Sequence, residues 1–385
     1  MPDAPPPASD LVADAVAAPE PFTVGVEEEY QIVDAATRTL RPRAPRILPG
    51  AQDALGEAAQ PELFQSQIEI ASPVCRTLAE VRGEIVRLRR GVLAAAAAEG
   101  ARIAAAGTHP FSHWAAQRVT DKERYHEITD TYQQLTRELV ICGCHVHVGI
   151  ADREAAVQVL NWMRGWLAPL LALSANSPYW LGEDTGYASY RTELWGRFPV
   201  SGPPHRFASY AEYTGVVRTL VDTRTVLDAT RIYWDLRIPE RLPTLEVRVA
   251  DVCATVDEAV LLAALVRAVA RRCHDAATRG APAPAVRPEV LRAAHWHAAR
   301  YGLDGELVDP DAGAVVPAAA RVGQLLAFAR PALEAAGEWD EVSALATAAL
   351  GRGTGARRQR AAYARTGRLE GVVDQVVAET AAGVA

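Results

Sequence analysis

FTVGVEEEYQIVD, residues 22–34, alternates in the two-residue period of a β-strand, and it carries three consecutive carboxylates. On a strand, Glu27 and Glu29 point to one face and Glu28 to the other. Two carboxylates about 4 Å apart repel by roughly 4 kcal/mol at an effective dielectric near 20. Protonation, an Arg or Lys partner, or a divalent cation removes that penalty. A solvated edge strand would avoid it altogether. Five further stretches read as strands: LFQSQIEIAS (63–72), ARIAAAG (101–107), CGCHVHVGI (142–150), RIYWDLRI (231–238) and TLEVRVADV (244–252).

Three of these also carry polar groups on one face. In 63–72 Gln65, Gln67 and Glu69 oppose Phe64, Ser66, Ile68 and Ile70, so one side packs on a core and the other is exposed or lines a wet cavity. In 142–150 His145 and His147 share a face between Val146 and Val148, which suits metal ligands or core histidines satisfied by carbonyls. In 244–252 Glu246 and Arg248 share a face inside an apolar frame. They form either a structural ion pair or a carboxylate ligand beside a guanidinium fork for phosphate. Carboxylates, histidines and an arginine on successive strands are what phosphoryl transfer from ATP requires: hard oxygen ligands for magnesium, and a cation to offset the moving charge. The chain has no GxxxxGK[ST], and GTGAR at 353–357 has no strand before it, so a P-loop is not expected. Four carboxylates outnumber the histidines, which favours magnesium or manganese over the zinc of a hydrolase.

Thr77 with Glu80, and Thr255 with Glu258, form capping-box patterns ahead of apolar helical stretches. From about residue 285 the pattern is almost wholly helical, which gives an α+β chain: residues 1–20 as a disordered Ala/Pro-rich tail and 21–385 as one domain. A net charge of -7 argues against general affinity for nucleic acid or anionic membranes. No signal peptide or membrane-spanning run is visible, so the expected location is cytoplasmic. Five unpatterned cysteines are expected to be reduced and buried. The long segment SANSPYWLGEDTGYASYRTELW (174–195) reads as a helix end and a long loop, with Arg191 and, just beyond it, Arg197 both available to bind an anionic substrate, surface arginines being the alternative for each. His109 lines a pocket or caps the turn before Pro110, and His295 and His297 read as structural.

Together GVEEEYQIVD (25–34), ELFQSQIEIASPVCRTLAEVR (62–82), AAAGTHPF (104–111), CGCHVHVGI, the stretch 170–204, PTLEVRVADVC (243–253) and RGTGARRQR (352–360) resemble the type 2 glutamate-cysteine ligase, or carboxylate-amine ligase, family. The resemblance implies a glutamine synthetase-like fold, with a curved antiparallel sheet forming a funnel and helices outside. It also implies ATP-dependent amide formation through an acyl phosphate, with glutamate and cysteine as the reference acid and amine. By comparison with that family, Glu27, Glu29, Glu62, Glu69, His145 and Glu246 match metal ligands, His147 falls at the nucleotide site, and Arg248 matches a phosphate-contacting arginine. Seven residues between Glu62 and Glu69 change parity on a regular strand, so a bulge or turn must intervene. Family members often form homodimers. Ile238 replaces a proline usual in relatives, which puts substrate specificity in question.

Overall fold

A computed structural model describes residues 21–384; the tail expected over 1–20 lies outside them. The strands are β1 (Val24–Asp34), β2 (Ala59–Pro61), β3 (Gln67–Ala71), β4 (Ala101–Ala104), β5 (Gly143–Gly149), β6 (Tyr179–Trp180), β7 (Glu183–Asp184), β8 (Leu236–Arg237), β9 (Thr244–Asp251), β10 (Glu306–Asp309) and β11 (Ala314–Pro317). Seven of them form one antiparallel sheet in the order β2-β3-β1-β5-β9-β8, with β4 also paired to β1. β6-β7 and β10-β11 are separate two-stranded pairs.

Alternation sorts the sheet into two faces. Val24, Val26, Val146, Val148, Leu245 and Val247 are buried in one cluster with the helices Arg153–Met163, Leu167–Ser174 and Val256–Thr278. Tyr30, Ile32, Ile68 and Ile70 continue that apolar layer against Leu88 and Val92 of the helix Leu78–Ala98. Residues of the other parity carry the polar groups. Both expected helix starts are capped: Thr77 accepts from the Glu80 amide, and Thr255 with Glu258 forms the full reciprocal box.

Several boundaries differ from the sequence reading. Residues 62–66 are not strand, so Gln65 does not continue the row of Gln67 and Glu69; it bonds instead to the Val119 carbonyl. Of 231–238 only Leu236–Arg237 is strand, because Ala229–Arg231 forms a 3-10 turn capped by Asp228. The segment after Ser174 is less irregular than a loop, since it contains β6, β7 and the short helix Tyr190–Trp195. Beyond residue 285 the helices are interrupted by the β10-β11 hairpin, whose short alternation is masked in the sequence by its flanking Gly and Asp residues. All five cysteines are free and buried.

Candidate active site

The polar face of the sheet forms the wall of a cavity of about 340 Å3. Register decides who meets whom: Glu27 pairs with His145, Glu29 with Glu69, His147 with Glu246, and Arg237 with Glu246. A bulge between Cys144 and Val146 shifts β5 against β9 beside His145. Glu62 follows the end of β2, and β2 pairs with β3, so the turn at 62–66 supplies the change of parity that its spacing from Glu69 demanded. Glu27, Glu29, Glu62, Glu69, His145, Arg191 and Arg248 all line the one cavity.

His145 stands at its centre, with Nδ1 3.1 Å from Glu27 and Nε2 3.7 Å from Glu29. Its neighbours fall into two groups of close ligand atoms, Glu27–His145–Glu246 and Glu29–Glu69–His145, which share the histidine. His147 Nδ1 lies 3.1 Å from Thr244 Oγ1, and Nε2 3.2 Å from Glu27. Glu246 is buried between Arg237, whose Nε donates to it at 2.7 Å, and Arg248, whose Nη1 also donates to it. The Gly143 amide donates to Glu29 at 2.6 Å.

The site is electrostatically divided. Burial would raise the Glu246 carboxyl, but the Arg248 and Arg237 charges hold it well below the ordinary range. Glu27 is likewise lowered despite burial, through its bonds to His145 and His147. At Glu62 and Glu69 the nearby arginine charge is outweighed. Burial and the Glu29 charge push Glu62 up to about 7, and burial with the charges of Glu62, Glu27 and Glu29 raises Glu69 well above its usual value. Burial and Arg248 lower His145; His147 is raised, because its bond to Glu27 and the Glu246 charge outweigh burial. A cluster with more carboxylate charge than its arginines balance, presenting oxygens around one imidazole, fits a divalent cation of the magnesium or manganese type.

Arg191 is buried, not a surface arginine. Its Nη groups reach the Arg248 and Val249 carbonyls at 3.4 and 3.5 Å, Asp251 lies 3.9 Å away, and Nε has no hydrogen-bond partner among the described residues. A Cβ at Gly143 would collide with its guanidinium, so glycine there makes the approach feasible. Arg197 pairs with Glu138 at 2.6 Å, is 37% exposed and lines a second cavity that adjoins the acidic one rather than the acidic cavity itself. The turn at Gly196 carries it outward while Arg191 remains in the helix Tyr190–Trp195. His109 caps a turn, accepting from the Ser112 amide at 2.9 Å, and burial lowers it to about 4. Ile238 packs in the apolar core and its backbone bonds Tyr213, so its side chain lines neither this cavity nor its neighbour. Arg237 was not singled out from the sequence; its parity within 231–238 was the available signal, but its importance follows from pairing with Glu246. Arg124, Tyr125 and Tyr233 complete the rim from segments with no distinguishing motif.

Comparison with known proteins places this arrangement among relatives. The model of glutamate-cysteine ligase family 2 matches residues 23–379. A protein of Rhodopirellula baltica named "Putative glutamate--cysteine ligase 2" is 45% identical over 364 residues, covering 93% of this chain and 96% of its own length. One of Frankia alni, "Putative glutamate--cysteine ligase 2-2", is 45% identical over 372 residues, covering 93% and 97%. Among solved structures, glutamate-cysteine ligase from Francisella tularensis in complex with AMP shares the fold, with a TM-score of 0.67 at 13% identity over 95% of this chain and 90% of that one. The α+β, glutamine synthetase-like architecture expected from the motifs is therefore the observed one.

Proposed function

The chain belongs to glutamate-cysteine ligase family 2, and on that premise we propose that it is an ATP-dependent carboxylate-amine ligase whose reference reaction joins glutamate to cysteine. The observation that carries the reading is the convergence of Glu27, Glu29, Glu62, Glu69, His145, Arg237 and Arg248 around one cavity, with Glu246 grouped behind them with Glu27 and His145 and paired to both arginines. A scaffold retained only for binding has no need to keep every one of these groups.

In this reading the γ-phosphoryl of ATP passes to the substrate carboxylate, and the acyl phosphate is attacked by the amine to give an amide, ADP and phosphate. The six acidic and imidazole groups would hold magnesium or manganese, which would neutralise phosphate charge when bound. Arg248 supplies a fixed cation beside the transferred group. Its position is set by Glu246, and its charged form is reinforced, against burial, by Glu246. Arg237 holds Glu246 from the other side. Arg191, with an unused Nε, is placed to take the carboxylate of the acid, and His147 to meet the nucleotide. Arg197, committed to Glu138, is left out of this assignment. Enclosure in the funnel limits hydrolysis of the acyl phosphate.

The test is ADP release with ATP and magnesium across a panel of acids and amines, with mass spectrometry of the product. Substrate-dependent ADP with a matching amide establishes the ligase and its substrates; absence of amide from every pair refutes it. A different amine in place of cysteine is the second reading, favoured by the size of the adjoining cavity, about 910 Å3.

A further inference from the structure

Next to the acidic cavity is a second one of about 910 Å3, which shares Arg191, Trp195 and Phe198 with it. It reaches Val249 near one end of β9, whereas His147 and Thr244 stand at the other end. Trp234 and Trp296 add aromatic wall, and Arg292 adds a cation. A space of this size exceeds what a cysteine side chain needs and suits an amine with an apolar body.

Two residues in its wall form a dyad that the acidic site does not use. His295 Nδ1 lies 3.2 Å from Asp235 Oδ2, and both side chains are 6% exposed. His295 Nε2 is buried and has no hydrogen-bond partner among the described residues. Asp235 is tied to the reactive strand, since its carbonyl accepts from the Arg248 amide at 2.8 Å and its own amide donates to the Gly202 carbonyl at 2.9 Å. With Nδ1 beside a carboxylate at 3.2 Å, a neutral imidazole keeps its proton on Nδ1 and its lone pair at Nε2. That is the geometry of an oriented proton acceptor.

We propose that this cavity receives the amine co-substrate and that His295, oriented by Asp235, accepts the proton its ammonium group must lose before attack; the proposal rests on the ligase reading above. The free amine then attacks the acyl carbon, forming the C–N bond, and the C–O bond to phosphate breaks. The nitrogen gives its second surplus proton to the departing phosphate, and His295 returns the first to solvent through the cavity.

The experiment compares wild type, His295→Gln and Asp235→Asn with ATP, magnesium and L-glutamate, offering either hydroxylamine or the protein amino acids as nucleophile, with Glu246→Gln as control. Hydroxylamine is already unprotonated at neutral pH and needs no base. His295→Gln is expected to lower amide formation about 10²–10⁴-fold while hydroxamate formation stays within a few-fold. Asp235→Asn shifts the same ratio in the same direction, and Glu246→Gln lowers both products together by about 10²–10³-fold. Ala293→Trp, which narrows the cavity from an exposed helix position, raises the KM for the amine and leaves that for ATP unchanged. Parallel loss of amide and hydroxamate in His295→Gln, an unaltered amide rate, or a KM change for ATP in place of the amine each overturns the proposal. Wild type that forms hydroxamate but no amide overturns the amine assignment alone; wild type that forms neither removes the ligase reading and this inference with it.

Discussion

Glu246 lies 1% exposed between two guanidinium groups, an arrangement stable only while all three charges remain. Glu246→Gln leaves Arg237 and Arg248 facing each other and takes an oxygen from the cluster. It should lower substrate-dependent ADP release by about 10²–10³-fold, measured by coupled assay on protein whose melting confirms folding. At the opposite end of the site, Gly143→Ala drives a Cβ into the Arg191 guanidinium. The expected outcome is a KM for the acid raised tenfold or more, on the order of 1.4 kcal/mol, with the KM for ATP little changed. Steady-state kinetics with each substrate varied in turn separates these effects. Glu246 stood out in the sequence beside Arg248 on one strand face, whereas Gly143 stood out only as a member of its strand. What each touches depends on partners far along the chain, and Arg191 and Arg197, alike as loop-borne arginines, separate only when the helix Tyr190–Trp195 turns one inward and the other out to Glu138.

Among the elements, β1 serves both sides of the sheet. Glu27 and Glu29 face the cavity, while Glu28 enters the apolar layer and meets Arg89 of the helix Leu78–Ala98 at 2.5 Å, with Tyr30 donating to the same carboxylate. Arg89 also donates to the Cys253 and Ala254 carbonyls at the end of β9, so one buried cation joins β1, the helix and the segment after β9. Arg89→Met strands Glu28 without a cation and should cost roughly 3–5 kcal/mol in denaturant unfolding, with Glu28→Gln in the same chain recovering part of it. Thr255→Ala removes a complete capping box and should cost about 1 kcal/mol by the same measurement. RGTGARRQR acts at this scale too. Thr354 caps the helix Gly355–Thr366, Arg358 pairs with Glu258 and Glu379, and Gln359 bonds Asn176. It clamps the C-terminal helices to the segment that carries Arg191 and has no phosphate-cradling loop.

For the whole molecule the acidic cluster couples stability to pH and to metal. Glu62, lifted to about 7 by burial and Glu29, and Glu69, raised by burial and its carboxylate neighbours, bind protons more tightly folded than unfolded. Stability from that protonation is full below the ordinary carboxylate range and is lost as pH rises through the folded values. His147, raised by Glu27 and Glu246, acts in the same direction, while His145, lowered by burial and Arg248, opposes it near its ordinary value. Chelator-treated protein should therefore melt lower at about pH 8.5 than at about pH 6, with on the order of 1 kcal/mol at stake for Glu62 between those values. Added magnesium should restore more at the higher pH, because the ligands must give up their protons to bind it. Scanning calorimetry at both pH values, with and without magnesium, checks the sign. The sequence by itself determined which face of each strand is polar, that Glu28 opposes its neighbours, and where two long helices begin. These are local properties, since alternation, helical period and capping involve residues a few positions apart. Only the tertiary structure decided that Glu27 meets His145, that His147 and Arg237 meet Glu246, that a turn brings Glu62 to Glu69, and that Asp235 and His295 share a second cavity. Register and helix docking arise from hydrogen bonds and packing between distant segments, and alternation alone is compatible with many strand orders.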